Sequence, residues 1–253
     1  MTTSGDTRTN SYVWRPSSEP HLVTRVAEGL ASVLFPPRCL LCGERTERLA
    51  LLCERCTQEL PSLDGIRCHR CQEPLAEESL DLCRACGTRD RGFDLARSLG
   101  PYASGWGRLV RALKFDRERM AARFLSYCLA GYLTHARPFG HFDMVSYVPM
   151  SRVDRRARGF NQAQLLATGL AKRLGLPLMA LLVKEHRTLP QAGLSARERR
   201  ENLRGAFHLI RSGKGKVLLI DDIFTTGSTV EACAHTLKSG GYKEVFVLTV
   251  ARA

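Results

Sequence analysis

Residues 216–237, K-V-L-L-I-D-D-I-F-T-T-G-S-T-V-E-A-C-A-H-T-L, are the most informative stretch of the chain. The apolar run Val217–Ile220 has the length and composition of a buried strand, which we expect to end at the acidic pair Asp221 and Asp222. A small loop rich in hydroxyl groups follows at residues 225–229, and apolar residues then recur at helical spacing. The stretch therefore predicts a strand, an acidic pair, a polar turn and a helix.

The turn has the chemistry of an anion site. A helix N-terminus offers unpaired N–H groups and a positive potential, and hydroxyl groups with a glycine let the backbone wrap an anion. Ser228 and Glu231 have the spacing of a capping box for this helix. Because the lysine of a Walker loop is missing, the segment is not a P-loop. Two carboxylates beside an anion suit the hydroxyls of a sugar phosphate, or a metal bridging to it. A surface turn with incidental acids is the alternative.

These residues resemble the signature of the type I phosphoribosyltransferases, which is four apolar residues, two acids, two variable residues and T-T-G-x-T. Every signature position from Val217 to Thr229 matches. The resemblance implies that Asp221 and Asp222 are the catalytic acids and bind the ribose hydroxyls of phosphoribosyl pyrophosphate. It also implies that the loop binds the 5-phosphate, through Thr225, Thr226, Gly227, Ser228 and Thr229.

Eight of the ten cysteines form Cys-x-x-Cys pairs. Two such turns complete a tetrahedral site without an open position, which is typical of structural zinc. We expect two Zn²⁺ ions, with a nested pairing as the alternative to pairing along the chain. Disulfides or a redox pair are the other interpretations, and four repeats outside any βαβ context disfavour them. The expected ligand sets are Cys39, Cys42, Cys53 and Cys56, and then Cys68, Cys71, Cys83 and Cys86.

The composition restricts the possible functions. A net charge of +13 indicates an anionic partner, either a polyphosphate or a nucleic acid. No segment approaches the roughly 18 consecutive apolar residues of a membrane span, and the first residues lack the apolar core of a secretory signal. We therefore expect a cytoplasmic protein, and a reducing compartment favours metal binding over disulfides for its cysteines.

The chain is expected to divide into an arm, a helix and two domains. Residues 1–19 are polar and predict a disordered arm, and residues 20–37 predict an amphipathic helix that ends at two prolines. Residues 38–90 hold the cysteine pairs and predict a small module with two zinc sites, which a family resemblance given below identifies as a double zinc ribbon. Residues 91–253 predict a phosphoribosyltransferase-like domain.

Strands and helices alternate in this last part. The strands are expected at residues 93–102, 143–148, 178–183, 216–220 and 245–250, and the helices at 106–133, 160–174 and after 228. This alternation predicts an α/β fold with a mostly parallel sheet and helices on both faces. In such sheets ligands bind beyond the carboxyl ends of strands, where Pro149 and the acidic pair both lie.

Two arginine-rich segments follow predicted strands. The first lies just after Pro149 and includes Arg155 and Arg158. Guanidinium groups bind phosphate oxygens bidentately, so we expect a second anion site there, with a solvated charge run as the alternative. The second is the connection over 185–212, which contains Arg199 and Arg200 and predicts a lid or, alternatively, a flexible insertion. These four arginines are the candidate contacts for pyrophosphate.

The order of the motifs resembles the ComF family. The cysteine pairs precede L-K-F, then R-x-R-G-F-N-Q-A, then R-T-L-P-Q-A-G-L-S-x-x-E-R-R-E-N-L-R-G-A-F and the phosphoribosyl signature. The resemblance implies a double zinc ribbon on a phosphoribosyltransferase-type domain, and a link to the DNA-uptake machinery. One expected function is Mg²⁺-dependent displacement of pyrophosphate from phosphoribosyl pyrophosphate. The alternative is non-catalytic binding of single-stranded DNA by the zinc ribbons and the basic surface.

Overall fold

The computed structural model describes residues 38–46, 50–113, 118–185, 203 and 205–253. The arm and the helix expected over residues 1–37 lie outside these ranges. Most of the 185–212 connection also lies outside them, including Arg199 and Arg200. Within the described ranges, no helix combines the length and the apolar character needed to cross a bilayer.

A parallel sheet lies at the centre of the fold. The strands of the described residues are β1 Leu95–Pro101, β2 Met144–Tyr147, β3 Leu182–Lys184, β4 Phe207–Leu209, β5 Lys216–Phe224 and β6 Glu244–Arg252. The central sheet has the order β1-β6-β5-β2 with parallel pairing throughout, and β3 and β4 form a separate antiparallel pair. Val217, Leu218, Leu219 and Ile220 of β5 are completely buried, as is typical of a parallel strand with both faces covered. The expected α/β class is confirmed.

Helices cover both faces of this sheet. In the described residues they are α1 Glu54–Gln58, α2 Arg84–Thr88, α3 Gly105–Ala112, α4 Glu118–Ala136, α5 Arg152–Arg158, α6 Gln162–Leu174 and α7 Ser228–Ser239. Leu218 and Ile220 of β5 pack with residues of α3, α4 and α6. Val217 and Leu219 point to the other face and pack with α7. The period-2 alternation of strand side chains thus divides β5 between two cores.

The first cysteine module, around residues 39–56, and the second, around residues 68–86, lie on opposite faces of the sheet, next to the edge strand β1. Cys39 and Cys56 belong to the core that contains α3 and α4. Cys86 belongs to the core that contains α7. The amide of Ala96 in β1 donates to the carbonyl of Arg70 in the second module at 2.7 Å, so this module also pairs with the sheet edge.

The expected end of β5 at the acidic pair is wrong. The strand continues to Phe224, and Asp221 is paired with Thr249 of β6. The reason is that β6 extends to Arg252 and supplies backbone partners beyond the apolar run. Polar side chains at the sheet edge do not end a strand while its backbone groups still have partners.

Two other element predictions also differ from the structure. The strand expected at 178–183 contributes only a bridge from Leu178 to Val145, and β3 then leaves the central sheet to pair with β4. The helix expected at 106–133 is divided, because α3 ends at Ala112 and α4 begins at Glu118. The charged run D-R-E-R at 116–119 interrupts the apolar periodicity at this place.

Candidate functional site

The paired cysteines form two compact clusters. The first cluster is Cys39, Cys42, Cys53 and Cys56, and the second cluster is Cys68, Cys71, Cys83 and Cys86. Within each cluster the four Sγ atoms lie within 4.8 Å of one another. The Sγ atoms of Cys42 and Cys53 are 3.7 Å apart, and so are those of Cys71 and Cys83. A tetrahedral zinc site with Zn–S bonds of about 2.3 Å has S–S edges of about 3.8 Å. Each cluster therefore fits one structural zinc ion, and the ligands are grouped along the chain rather than nested.

The thiols of the second cluster compete for ionisation. Hydrogen bonds with Cys71 and Cys86 lower the pKa of Cys68. The hydrogen bond between Cys68 and Cys86 raises the pKa of Cys86. The hydrogen bond between Cys68 and Cys71 raises the pKa of Cys71 to about 12. Four thiolates this close repel one another unless a cation lies between them, and Zn²⁺ supplies the charge that lets all of them ionise.

Purified protein is expected to contain about two equivalents of zinc per chain, one for each cluster. Replacing Cys71 by alanine should remove one equivalent, because three thiolates hold zinc more weakly than four. Cys128→Ser is the matched control, since Cys128 is buried in α4 outside both clusters. Elemental analysis measures the zinc content, and thiol titration measures the free cysteines. Less than one equivalent, with the cysteines in disulfides, would contradict the assignment.

The loop at residues 225–229 is a tight turn that leads from β5 into the first turn of α7. Gly227 is the N-cap residue of α7 and has a φ of 76°, in the left-handed region that favours glycine. The hydroxyl oxygens of Thr226 and Ser228 lie 2.9 Å apart. The first N–H groups of α7 have no partner within the helix. The loop thus combines a helix N-terminus with hydroxyl groups, which is the chemistry of a phosphate site.

The capping box predicted from Ser228 and Glu231 is wrong. No side chain caps α7 at Gly227. The carboxylate of Glu231 is buried and lies 2.7 Å from Nε of Arg91 and 3.3 Å from Nη2 of Arg89. A guanidinium group brings a full positive charge to the carboxylate, so it competes successfully with a backbone N–H.

Asp221 and Asp222 lie in the last part of β5, immediately before the loop. The amide of Asp222 donates to Oδ1 of Asp221 at 2.9 Å. Burial raises the pKa of Asp221 well above its usual range, and the carboxylate of Asp222 raises it further. Lys184 at the end of β3 opposes this shift, as does the amide of Asp222. Hydroxyl donors or a cation that reach these two carboxyl groups would stabilise their charged form.

The end of β2 brings α5 to the same edge of the sheet. The amide of Val148 donates to the carbonyl of Ile220 at 3.0 Å, so the chain that leads into α5 passes beside the acidic pair. Burial lowers the pKa of Lys184, and the carboxylates of Asp154 in α5 and Asp221 in β5 oppose that shift. Both carboxylates therefore act on one ammonium group. Sequence reasoning did not find Lys184.

The arginines of α5 are exposed near this edge. The helix has no buried residue, and the side chain of the preceding Ser151 caps its N-terminus. Burial raises the pKa of Tyr147 at the end of β2, and the nearby guanidinium of Arg155 opposes the shift. Arg155 and Arg158 are both exposed, and Arg155 lies near the end of β2. The other two candidate arginines, Arg199 and Arg200, lie outside the described residues.

Arg91 is the principal residue that sequence reasoning missed. It is 2% exposed, and its Nη2 donates to the carbonyl of Thr226 at 2.8 Å. Its partners Thr226 and Glu231 are 135 and 140 residues away in the sequence. No periodicity or motif spacing reaches that far, so the sequence carries no local signal for this contact.

Comparison with known proteins agrees with the two parts of the chain. Residues 30–87 match the double zinc ribbon domain family, and residues 161–253 match the phosphoribosyl transferase domain family. Competence protein F of Haemophilus influenzae is 30% identical over 228 residues, which are 87% of this chain and 98% of that protein. DNA utilization protein YhgH of Escherichia coli K12 is 32% identical over 206 residues, covering 79% and 88%.

Solved structures give a weaker similarity. The adenine phosphoribosyltransferase of Thermoanaerobacter pseudethanolicus aligns with 54% of this chain and 83% of its own, at 18% identity and a TM-score of 0.34. A TM-score this low supports no conclusion about this protein. The assignment depends instead on the sequence relatives, which match along most of their length. With a double zinc ribbon, a phosphoribosyltransferase domain and a relative 30% identical over 98% of its length, the chain belongs to the ComF family.

Proposed function

We propose that the protein binds phosphoribosyl pyrophosphate with Mg²⁺ at the carboxyl edge of its sheet and transfers the phosphoribosyl group to an acceptor. The observation that carries the proposal is the adjacency of three groups of residues. The 225–229 loop lies at the N-terminus of α7, Asp221 and Asp222 immediately precede it, and exposed arginines of α5 lie at the end of the neighbouring strand. One ligand with a phosphate, a diol and a pyrophosphate suits all three.

In this proposal each group binds a different part of the substrate. The loop takes the 5-phosphate, and the acidic pair accepts hydrogen bonds from the two ribose hydroxyls. The acceptor attacks C1 of the ribose, the bond from C1 to the pyrophosphate oxygen breaks, and the electron pair leaves with pyrophosphate. Arg155 and Arg158 stabilise the charge on the leaving group, while Asp221 and Asp222 balance positive charge that develops on the sugar.

The chemistry of the acidic pair suits a divalent cation that accompanies the substrate. Asp221 and Asp222 would hold Mg²⁺ together with the ribose hydroxyls, since both offer carboxylate oxygens and their mutual repulsion raises the pKa of Asp221 beyond the effect of burial. When bound, Mg²⁺ neutralises charge on the pyrophosphate. The protein's own part is to orient the sugar and to present the arginines.

Release of pyrophosphate tests the transfer. The zinc-loaded protein is incubated with phosphoribosyl pyrophosphate, Mg²⁺ and a panel of nucleobases and amines, and pyrophosphate is measured enzymatically. We expect release that needs one particular acceptor and disappears in Asp222→Asn. Release that is equally fast in Asp222→Asn, or no release with any acceptor, contradicts the transfer.

Binding of single-stranded DNA is the second candidate function. It is favoured by the net charge of +13 and by the names of the relatives, Competence protein F and DNA utilization protein YhgH. The exposed arginines of α5 are the proposed contacts to DNA phosphates. Charge-based binding of this kind weakens steeply as salt rises.

The double variant Arg155→Ala/Arg158→Ala is expected to lower the salt slope of DNA binding by about one unit for each lost contact. Lys172→Ala/Lys243→Ala is the matched control, because it removes the same charge from exposed residues at the opposite edge of the sheet. Fluorescence anisotropy with a labelled single strand, from low to high salt, measures the slopes. Equal slopes for the two double variants would exclude α5 as the DNA contact.

A further inference from the structure

The residues that link the second cluster to the 225–229 loop have no part in the function proposed so far. Arg91 lies between them. Its Nη1 is 3.7 Å from Sγ of Cys86, a member of the second cluster, and its Nη2 donates to the carbonyl of Thr226 in the loop. Its Nε lies 2.7 Å from the carboxylate of Glu231 in α7. One buried guanidinium group thus contacts a zinc ligand, the loop and the helix behind it.

Contact with the Thr226 carbonyl fixes the direction of the next peptide group. In a trans peptide the C=O and the following N–H point in opposite directions. Because Arg91 binds the carbonyl of Thr226, the N–H of Gly227 points away from Arg91. A Cβ on Gly227 would lie 2.4 Å from Nη2 of Arg91, so the guanidinium group and the turn are in close contact.

Aromatic rings and a second arginine complete this connection. The guanidinium of Arg91 lies 5.0 Å from the ring centre of Phe93, and Phe93 packs edge-on against Phe224 at 5.9 Å. Arg252, at the end of β6, lies 4.7 Å from the ring of Phe224 and donates to the carbonyl of Cys71 at 2.6 Å. These residues are buried, so the second cluster and the base of the loop share one packed core.

The first cluster has a different neighbourhood. Cys39 and Cys56 pack with the core on the other face of the sheet, beside α3 and α4. Trp106 of α3 belongs to the same core and donates through its indole Nε1 to the carbonyl of Pro61 at 2.8 Å. Among the described residues, the hydrogen bonds of the first cluster stay within its own module. The two zinc sites therefore differ in what they support.

We infer that Arg91 is a positioning residue through which the second zinc site holds the 225–229 loop in the conformation that binds a phosphate. The first zinc site stabilises its own module and leaves the loop unchanged. This inference rests on the proposed function for the identity of the ligand, a phosphate monoester or phosphoribosyl pyrophosphate. Its structural part, the dependence of the loop on Arg91, needs no ligand.

Arg91→Met is expected to weaken binding of inorganic phosphate and of phosphoribosyl pyrophosphate by the same factor, at least about tenfold, because both use the loop. Zinc content should stay at about two equivalents, as in the parent. Arg91→Lys keeps the charge but lacks the planar fork, so its affinity should lie nearer to that of Arg91→Met. Arg89→Met is the matched control, since Arg89 pairs with the same Glu231 carboxylate. If Arg91→Lys binds as the parent does, charge rather than positioning explains the effect and the inference fails.

Hydrogen exchange provides a readout without ligand. The amide of Glu231 donates to the carbonyl of Gly227 at 2.9 Å in the first turn of α7. Loss of the Arg91 contacts should speed exchange of this amide by at least about tenfold, while amides of β5 and β6 exchange as before. Unchanged exchange in Arg91→Met would overturn the inference. A parent protein that binds no phosphate ligand would refute the proposed function, and the exchange rates would still decide the role of Arg91.

Matched cysteine variants test the part played by zinc. Cys56 and Cys86 are the last ligands of their clusters, lie in short helices and are each 3% exposed. Cys56→Ser and Cys86→Ser should each lose zinc from their own cluster, and only Cys86→Ser should weaken phosphate binding and speed exchange at Glu231. Equal effects of the two substitutions would contradict the asymmetry. If Cys86→Ser does not fold, the Arg91 variants, which keep both clusters, still decide.

Discussion

Gly227→Val is expected to weaken binding of every phosphate ligand by about two to four decades, because two or more hydrogen bonds to charged oxygens are lost together. Gly227 has a φ of 76°, which a β-branched residue rarely adopts. A Cβ at this position would lie 2.4 Å from Nη2 of Arg91 and 2.5 Å from the ring of Phe224. The loop must therefore change its conformation to accept the side chain. Calorimetric titration with inorganic phosphate and with phosphoribosyl pyrophosphate measures the loss.

Gly175→Val separates backbone strain from damage to the loop. Gly175 ends α6 with a φ of 67°, and a Cβ there would have no atom within 4 Å. Both variants place valine in the left-handed region, but only Gly227→Val disturbs the loop. We expect Gly175→Val to lose some stability and to keep its ligand affinity. Equal affinity in Gly227→Val and Gly175→Val would mean that the loop does not bind phosphate.

Asp221→Asn is expected to separate recognition of the sugar from recognition of the phosphate. The substitution keeps the shape of the side chain and removes the charge that accepts a hydrogen bond from a ribose hydroxyl. Affinity for phosphoribosyl pyrophosphate should fall by about one to two decades. Affinity for inorganic phosphate should stay within about twofold, because the loop is unchanged. Titrating both ligands into Asp221→Asn and Asp222→Asn makes the comparison, and an equal loss of both ligands would contradict a separate sugar site.

The same substitution should stabilise the empty protein at neutral pH. Burial and the Asp222 carboxylate raise the pKa of Asp221 above its usual range. A folded-state pKa above the unfolded one means that the folded protein holds this proton more tightly, so the carboxyl lowers stability as pH rises from the ordinary aspartate value to the folded pKa. Below the ordinary value Asp221→Asn should melt with the parent, and at higher pH it should melt above it. If the parent melted at a higher temperature than Asp221→Asn at neutral pH, the destabilising effect of the Asp221 carboxyl would be contradicted.

The motifs that lie within one short stretch could be predicted from the sequence. The order strand, acids, loop and helix is local, and so is the spacing of the cysteines, because the chain itself fixes which residues meet in a turn. The structure brings each expected set of four cysteines together. It also places the loop at the N-terminus of α7. The parallel sheet followed from the alternation of strands and helices.

Contacts between distant parts of the chain could not be predicted in this way. Glu231 has the spacing of a capping residue, yet it pairs with Arg91, 140 residues earlier. Lys184 acts on Asp221 from β3, a strand that is not part of the central sheet. The end of β5 was misjudged because its backbone partner β6, and not its own side chains, decides how far the strand extends. Each of these features depends on tertiary packing, which apolar periodicity does not encode.

Calorimetric titration of the zinc-loaded protein with phosphoribosyl pyrophosphate, with and without Mg²⁺, tests the central claim most directly. We predict saturable binding of one ligand per chain that is strengthened by Mg²⁺, is competed by inorganic phosphate and is lost in Gly227→Val. The competition by phosphate identifies the loop, and the gain from Mg²⁺ identifies the diol and pyrophosphate groups. Absence of binding in the parent, or binding that Gly227→Val retains in full, would contradict a phosphoribosyl site at the end of β5.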